Sequence, residues 1–177
     1  MSRQELVERF SLERVGASPA AFDYQKLEWM NGVYLRAMTP DGFARALSEY
    51  LGEGWDEEKV RQIAPLVQEK IATLGEFPSY AAFFFSDEVS ADPKLLDPTV
   101  LGAAIRKLEP LEEWTEDAVE AALRQLADEL GLKPREAFQP IRVAVTGSTV
   151  SPGLFESLAL LGREKTLARI RAAIGES

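Results

Sequence analysis

The residues best suited to chemistry stand near the end of the chain. From Arg142 to Leu154 the segment Arg-Val-Ala-Val-Thr-Gly-Ser-Thr-Val-Ser-Pro-Gly-Leu carries one guanidinium, four hydroxyls and two glycines. Two chemistries suit such a mixture. In the first, Val143 to Thr149 is a strand running into a turn whose amides cradle a phosphate. A dinucleotide fingerprint, however, needs Gly-x-Gly-x-x-Gly inside a βαβ unit. Gly147 and Gly153 are six apart, Pro152 lies between them, and no second strand follows. In the second, the segment reads unpaired RNA, which calls for short hydroxyls, exposed amides and apolar surfaces for splayed bases. Ser151 at a helix start offers a hydroxyl and N–H groups, Pro152 and Leu154 offer apolar contact, and Arg142 reaches a base edge or a phosphate. On residue types alone the same segment is also an ordinary loop and helix cap.

Other catalytic chemistry has little to work with. Histidine and cysteine are both absent. That removes the commonest general base, thiolate nucleophiles, disulfides and the usual zinc ligand sets. Ser148 and Ser151 therefore have no base beside them. The carboxylate pairs Glu57/Glu58 and Glu112/Glu113 are expected in exposed first turns of helices, where the helix dipole explains them. The net charge of -9 argues against indiscriminate nucleic-acid binding, which needs neutralised phosphates. That charge is uneven. From Lys133 onward the bases Lys133, Arg135, Arg142, Arg163, Lys165, Arg169 and Arg171 outnumber the acids Glu136, Glu156, Glu164 and Glu176. Any RNA contact must then use a local patch on an otherwise repelling surface. No apolar run is long enough to suggest a membrane span, and Met1-Ser-Arg-Gln-Glu does not read as a signal peptide.

The elements that must position these residues read as helices. Leu27, Met30, Tyr34 and Leu35 share one face of a stretch ending near Ala37. Thr39-Pro-Asp starts the next helix, with Phe43, Leu47, Tyr50 and Leu51 as its buried stripe and Gly52 as its stop. Asp56-Glu-Glu opens a third, carrying Val60, Ile63, Val67 and Ile71, and Pro65 within it predicts a kink or two short helices. Phe77, Tyr80, Phe83, Phe84 and Phe85 crowd one short span. Three consecutive phenylalanines are expected to serve more than one surface. The polar stretch Ser86 to Pro98 is the best internal boundary. Helices are predicted from Pro98 to about Leu108 and from Thr115 to Leu130, with a short one from Pro134 to Phe138. Ile141 to Val145 alternates like a strand but has no evident partner. Ser151-Pro-Gly predicts a helix to Leu161, and Gly162 separates it from a last helix to about Ile174.

Several blocks carry a resemblance. Phe10-Ser-Leu-Glu-Arg-Val-Gly-Ala-Ser-Pro-Ala-Ala-Phe-Asp23 and Lys26-Leu-Glu-Trp-Met-Asn-Gly-Val-Tyr-Leu-Arg36 stand at one end. Arg142 to Gly162 stands at the other, with Thr73-Leu-Gly-Glu-Phe-Pro78 and Glu113-Trp-Thr-Glu116 between. In order and separation they resemble the C-terminal half of bacterial glutamyl-tRNA synthetases. The resemblance implies an all-α, two-part helical bundle that holds a tRNA anticodon loop. It implies a remnant of the stem-contact region over 1–38, a first anticodon-binding sub-domain over 39–88 and a second over 89–177. The contact residues it implies are Arg142, Ser151 (where a relative has Thr), Pro152 and Leu154. It also implies Lys70, which stands where some members carry an arginine that separates glutamate tRNA from glutamine tRNA. Lysine keeps the charge there and lacks the planar fork. Lys26 and Arg36 are implied as possible contacts to the tRNA backbone, with Trp29 and Tyr34 as core anchors.

The expected function is therefore recognition of the tRNA(Glu) anticodon as the C-terminal part of a glutamate–tRNA ligase. In that family the catalytic half, expected before residue 1, uses ATP and Mg. This fragment is expected to need no cofactor and no metal, and to have no aminoacylation activity of its own. The implied partners are tRNA(Glu) and the catalytic half of the same enzyme. A cytoplasmic monomer is expected. The competing readings are a helical protein-interaction module without RNA binding, and a small hydrolase or nucleotide-binding enzyme.

Overall fold

The computed structural model of the chain describes residues 2–16, 21–51 and 54–175. Gly52, the expected helix stop, lies outside these, as does the Ala17-Ser-Pro-Ala20 part of the first block. Among the described residues there are ten α-helices and no strand. They are α1 (Arg3–Arg9), α2 (Tyr24–Ala37), α3 (Pro40–Leu51), α4 (Glu57–Gln68), α5 (Phe77–Phe85), α6 (Pro98–Leu108), α7 (Glu116–Leu130), α8 (Pro134–Thr146), α9 (Leu154–Leu161) and α10 (Arg163–Ala173). The chain is all-α.

Local chemistry sets most of the helix ends. Thr39 Oγ accepts from the Gly42 amide at 3.2 Å, Asp56 from Lys59 at 2.7 Å, and Thr115 from Ala118 at 3.3 Å. Each hydroxyl or carboxylate thus satisfies an amide that the first turn leaves without a partner. Pro65 does not break α4, which runs unbroken to Gln68. It lies on the exposed side, where water can hydrate the carbonyl a proline leaves unpaired.

Two hydrophobic cores organise these helices. The first gathers Phe43, Leu47, Val60, Ile63, Val67, Ile71, Phe77 and Phe84 from α3, α4, α5 and the turn between α4 and α5. The three consecutive phenylalanines all serve this one core. Phe83 and Phe84 sit inside it, and Phe85 packs at its rim with its ring 4.6 Å from that of Trp55. Tyr50, expected in the buried stripe of α3, is exposed, its hydroxyl lying against Gly75.

The second core gathers Leu101, Leu108, Leu123, Leu126, Ile141, Leu158 and Ile170 from α6 to α10. Trp114 pins the loop before α7 to it. Its indole N–H donates to the Leu158 carbonyl at 2.9 Å, and the Arg163 guanidinium lies over the ring at 5.6 Å. Leu161 packs against both cores.

Two expectations about the second core need correction. Residues 134–146 form one helix, not a short helix followed by a strand. Ile141, Val143, Ala144 and Val145 are all buried, and the apparent alternation is part of a helical stripe. Ala137, Pro140, Ile141, Ala144 and Val145 recur at three- and four-residue steps, while Arg135 and Glu136 face out. The helix after Ser151-Pro-Gly starts later than expected, at Leu154 with Gly153 as its cap, which leaves Ser151 in the preceding turn.

The N-terminal segment docks by one edge only. Gly32 of α2 lies against the Ala72 backbone, where a Cβ would stand in ordinary contact at 3.5 Å from the Ala72 Cα. Asn31 donates to the Ala72 carbonyl, and the buried Gln68 amide donates to the carbonyls of Leu35 and Met38 at 2.8 and 2.9 Å. The opposite face of α2 is open. Trp29 and Tyr34, expected as core anchors, are each 64% exposed, and Leu27, Met30 and Val33 are exposed with them. Neither α1 nor the 3-10 turn Leu12–Arg14 buries a residue.

Candidate nucleic-acid interface

The turn between α8 and α9 is built around Arg142. This residue lies on α8, half-buried, and its Nη1 donates to the Ser151 hydroxyl and to the Pro152 carbonyl at 2.8 Å. Ser151 in turn donates to the Pro152 carbonyl at 3.0 Å. The Thr146 hydroxyl bonds the Arg142 carbonyl at 2.8 Å and accepts from the Ser148 amide at 3.2 Å, and Ser148 Oγ accepts from the Val150 amide at 3.1 Å. The turn is therefore held by its own hydroxyls.

Gly147 closes α8 with φ at 73°, in the left-handed region that glycine occupies without strain. A Cβ at this position would stand 2.8 Å from the Ser90 carbonyl oxygen. The glycine is thus needed for a helix end packed tightly under the linker, which accounts for it without a phosphate cradle.

Among the described residues Arg142 spends only Nη1 in this way, and no protein acceptor takes its Nε or Nη2. Burial pushes the pKa of this guanidinium down, and the neighbouring carboxylate of Glu156 draws it back. The group is a charged, oriented fork with one edge committed to the turn and one edge available.

Not every residue expected here faces outward. Arg142, Ser151, Pro152 and Leu154 do come together at one turn. Pro152 and Leu154 are nevertheless buried, and Leu154 belongs to the second core at 4% exposure. They brace the turn from beneath and do not offer the apolar surface expected of them. The half-buried aromatics beside it are Phe138 and Phe155, whose rings meet edge to face at 5.3 Å. Arg124, exposed on α7, lies over Phe155 at 5.8 Å and pairs with Glu120 at 2.5 Å. Cation and rings thus form a half-exposed aromatic cluster beside the turn, which the residue types alone did not single out. Its signals were there: Phe138 precedes Arg142 by four residues on the same helix, and Phe155 follows Leu154 directly.

Acidic groups border this patch. Glu116 has its pKa raised, first by partial desolvation and then by Glu156, Asp117 and Glu120. The same acids stand beside the cations, Glu156 near Arg142 and Glu120 paired with Arg124, so a phosphate approaching either arginine also meets a carboxylate.

The remaining expected residues belong to the first bundle. Lys70 is exposed on the turn that follows α4, where its amide donates to the Val67 carbonyl at 2.8 Å. That turn is stiff. Glu76 accepts from the Thr73 amide at 2.8 Å and the Thr73 hydroxyl at 2.9 Å, and α2 docks on Ala72. Arg36 lies over Gly32 beside the same turn, and Lys26 stands exposed nearer the start of α2. None of the three shares a hydrogen bond with the Arg142 turn among the described residues.

This geometry, an all-helical scaffold with a braced arginine beside aromatic rings, suits a protein that holds unpaired nucleotides. Residues 42–174 match the family described as the anticodon binding domain, and the chain belongs to that family. Among curated relatives, the glutamate–tRNA ligase of Roseiflexus castenholzii is 44% identical over 192 residues, covering 98% of this chain and 38% of its own length. The glutamate–tRNA ligase of Saccharopolyspora erythraea is also 44% identical, covering 97% of this chain and 38% of itself. The chain thus spans well under half the length of the curated relatives it matches. The fold is shared with the crystal structure of a glutamate tRNA ligase from Elizabethkingia meningosepticum in complex with its amino acid. The TM-score there is 0.79 at 22% identity, over 98% of this chain and 36% of that one.

Proposed function

We propose that this chain is the anticodon-reading part of a glutamate–tRNA ligase, and that it holds the anticodon loop of tRNA(Glu) through the Arg142 turn. The observation that carries this reading is the half-committed guanidinium of Arg142, fixed by Ser151 and Pro152 with its Nε and Nη2 open. A fork oriented in advance loses little entropy on meeting a base edge or phosphate. Arg142 makes the polar contact, and Ser151 holds it in register. Phe155, Phe138 and Arg124 supply the stacking surface, while Pro152 and Leu154 support the turn. Lys70 reads from the first bundle as a point charge, with Arg36 and Lys26 as contacts to the phosphate backbone.

The catalytic step, ATP-dependent attachment of glutamate to tRNA, belongs on this reading to the rest of the enzyme, together with its ATP and Mg. Anticodon binding by this chain requires neither. The open apolar face of α2, with Trp29, Met30 and Tyr34, is where that remaining part packs. The protein acts as a cytoplasmic monomer.

The test is titration of this chain with a glutamate-tRNA anticodon stem-loop at low and raised salt. Saturable binding that weakens with salt is expected. Arg142→Ala should weaken it by roughly 1–3 kcal/mol. No saturable binding at low salt would leave the protein-interaction reading, favoured by the same exposed face of α2, in possession of the field.

A further inference from the structure

We propose that Arg169 is the positioning residue that locks the two helical bundles in one orientation and so sets where Lys70 stands relative to Arg142. The second half of this statement rests on the anticodon reading; the first does not. Arg169 lies on α10 and is 5% exposed. Its Nη1 donates to the Val145 carbonyl at 2.7 Å, and its Nη2 donates to the carbonyls of Phe83 and Ser86, both at 2.8 Å. Phe83 and Ser86 are the last turn and cap of α5, in the first bundle. Val145 is in the last turn of α8, three residues beyond Arg142. One guanidinium therefore joins the helix that carries the candidate reader to the helix that follows the Lys70 turn.

The chemistry explains how such a charge is tolerated in the interior. Among the described residues no carboxylate bonds Arg169, and Asp87, the acid that acts on it through space, bonds Lys165 at 3.4 Å. The charge is met by carbonyls at two helix C-termini, where the backbone leaves acceptors without partners and the dipole favours a cation. Lys59 completes the set by donating to the Phe84 carbonyl at 2.6 Å.

Among the described residues the other polar links between the bundles are weaker or run through the linker: Lys165 pairs with the exposed Asp87 at 3.4 Å, and the end of α8 packs on Ser90. Among the described residues Leu161 is the side chain packed against both cores, and apolar contact is non-directional. The linker side is open, with a cleft of about 530 Å³ lined by Asp87, Val89, Pro93, Leu96, Ala168 and Arg169 among others. Three directional bonds from one planar group fix an orientation that one leucine cannot.

The chain has no cysteine, so nitroxide labels can be placed at Gln62→Cys on α4 and Asp128→Cys on α7, both exposed, without further substitution. Pulsed double electron–electron resonance should give one narrow distance distribution in the otherwise unchanged protein. In Arg169→Met it should broaden or shift while helical circular dichroism is kept. If Arg169→Met fails to fold, Arg169→Lys decides. It keeps the charge but cannot span both helix ends with one plane, and its distribution should widen. An unchanged narrow distribution in a folded Arg169 variant would overturn the proposal. Stem-loop titration of the same variants separates this from the functional reading. Affinity should fall by about tenfold as the distribution widens, the equivalent of one well-placed contact. If the unsubstituted protein binds no stem-loop, the anticodon reading fails and the distance measurement still decides the lock.

Discussion

Helices α2 and α8 are nearly equal in length, at 14 and 13 residues, and both carry candidate tRNA-contacting cations, Lys26 and Arg36 on α2 and Arg142 on α8. Their surroundings differ sharply. α8 buries seven residues, whereas α2 buries only Gly32 and Leu35 and leaves Trp29 and Tyr34 in solvent. The difference lies in neighbours rather than in helix-forming tendency. α8 has α6, α7 and α10 around it, while among the described residues α2 meets the first bundle through Leu35, Gln68 at the end of α4 and the turn at Ala72. A cation on α8 is held in place by the fold; a cation on α2 stands on a helix that lacks a partner for most of its apolar surface.

The contrast predicts unequal costs for like substitutions. Ile141→Ala, which empties a fully buried site on α8, should lower unfolding free energy by about 2–5 kcal/mol. A shift in the urea midpoint at unchanged slope reports it, and a change below about 0.5 kcal/mol would mean that α8 is not packed as described. Gly147→Ala should cost less, about 1–3 kcal/mol, because it strains a left-handed residue and pushes on Ser90. The same titration measures it, and a neutral result would show that the α8 end is not held against the linker.

A smaller effect is expected where α2 meets the first bundle. Gln68→Ala removes the amide that bonds the carbonyls of Leu35 and Met38, at about 1 kcal/mol. The telling measurement is hydrogen exchange. Amides in α2 should lose protection while those of α3 and α4 keep it, and uniform loss across all three would refute the idea of a separately docked helix.

How far the sequence displays all this depends on the range over which each feature is encoded. Helix starts at Thr39, Asp56 and Thr115 are legible because cap and capped amide lie within four residues. Ile141 to Val145 alternates over too few residues to separate the two periods; the helical step shows only when Ala137 and Pro140 are counted with Ile141, Ala144 and Val145. At the candidate site, residue types were legible and directions were not. Arg142 and Ser151 declare themselves by chemistry, but whether Pro152 and Leu154 face a ligand or a core depends on α7 and α9 packing behind them. Arg169 gave no local signal at all, since its partners lie 24, 83 and 86 residues away in sequence.

The smallest effect sharpens the comparison most. Trp29→Ser replaces a large ring that is 64% exposed and makes no side-chain hydrogen bond among the described residues. In this chain it should change stability by less than about 0.5 kcal/mol, the usual range for surface sites. A much larger loss would show that α2 packs inward more than its exposure allows. The proposed function makes the same site costly in another setting. If, as proposed, a catalytic part of the enzyme packs on the α2 face, the substitution should cost about 3 kcal/mol or more in the joined protein, as truncating a buried aromatic does. Measuring Trp29→Ser in both settings by urea unfolding yields the difference directly. Equal, negligible costs in the two would mean that α2 remains open in the whole enzyme, and its apolar face would then have to be assigned to some other partner.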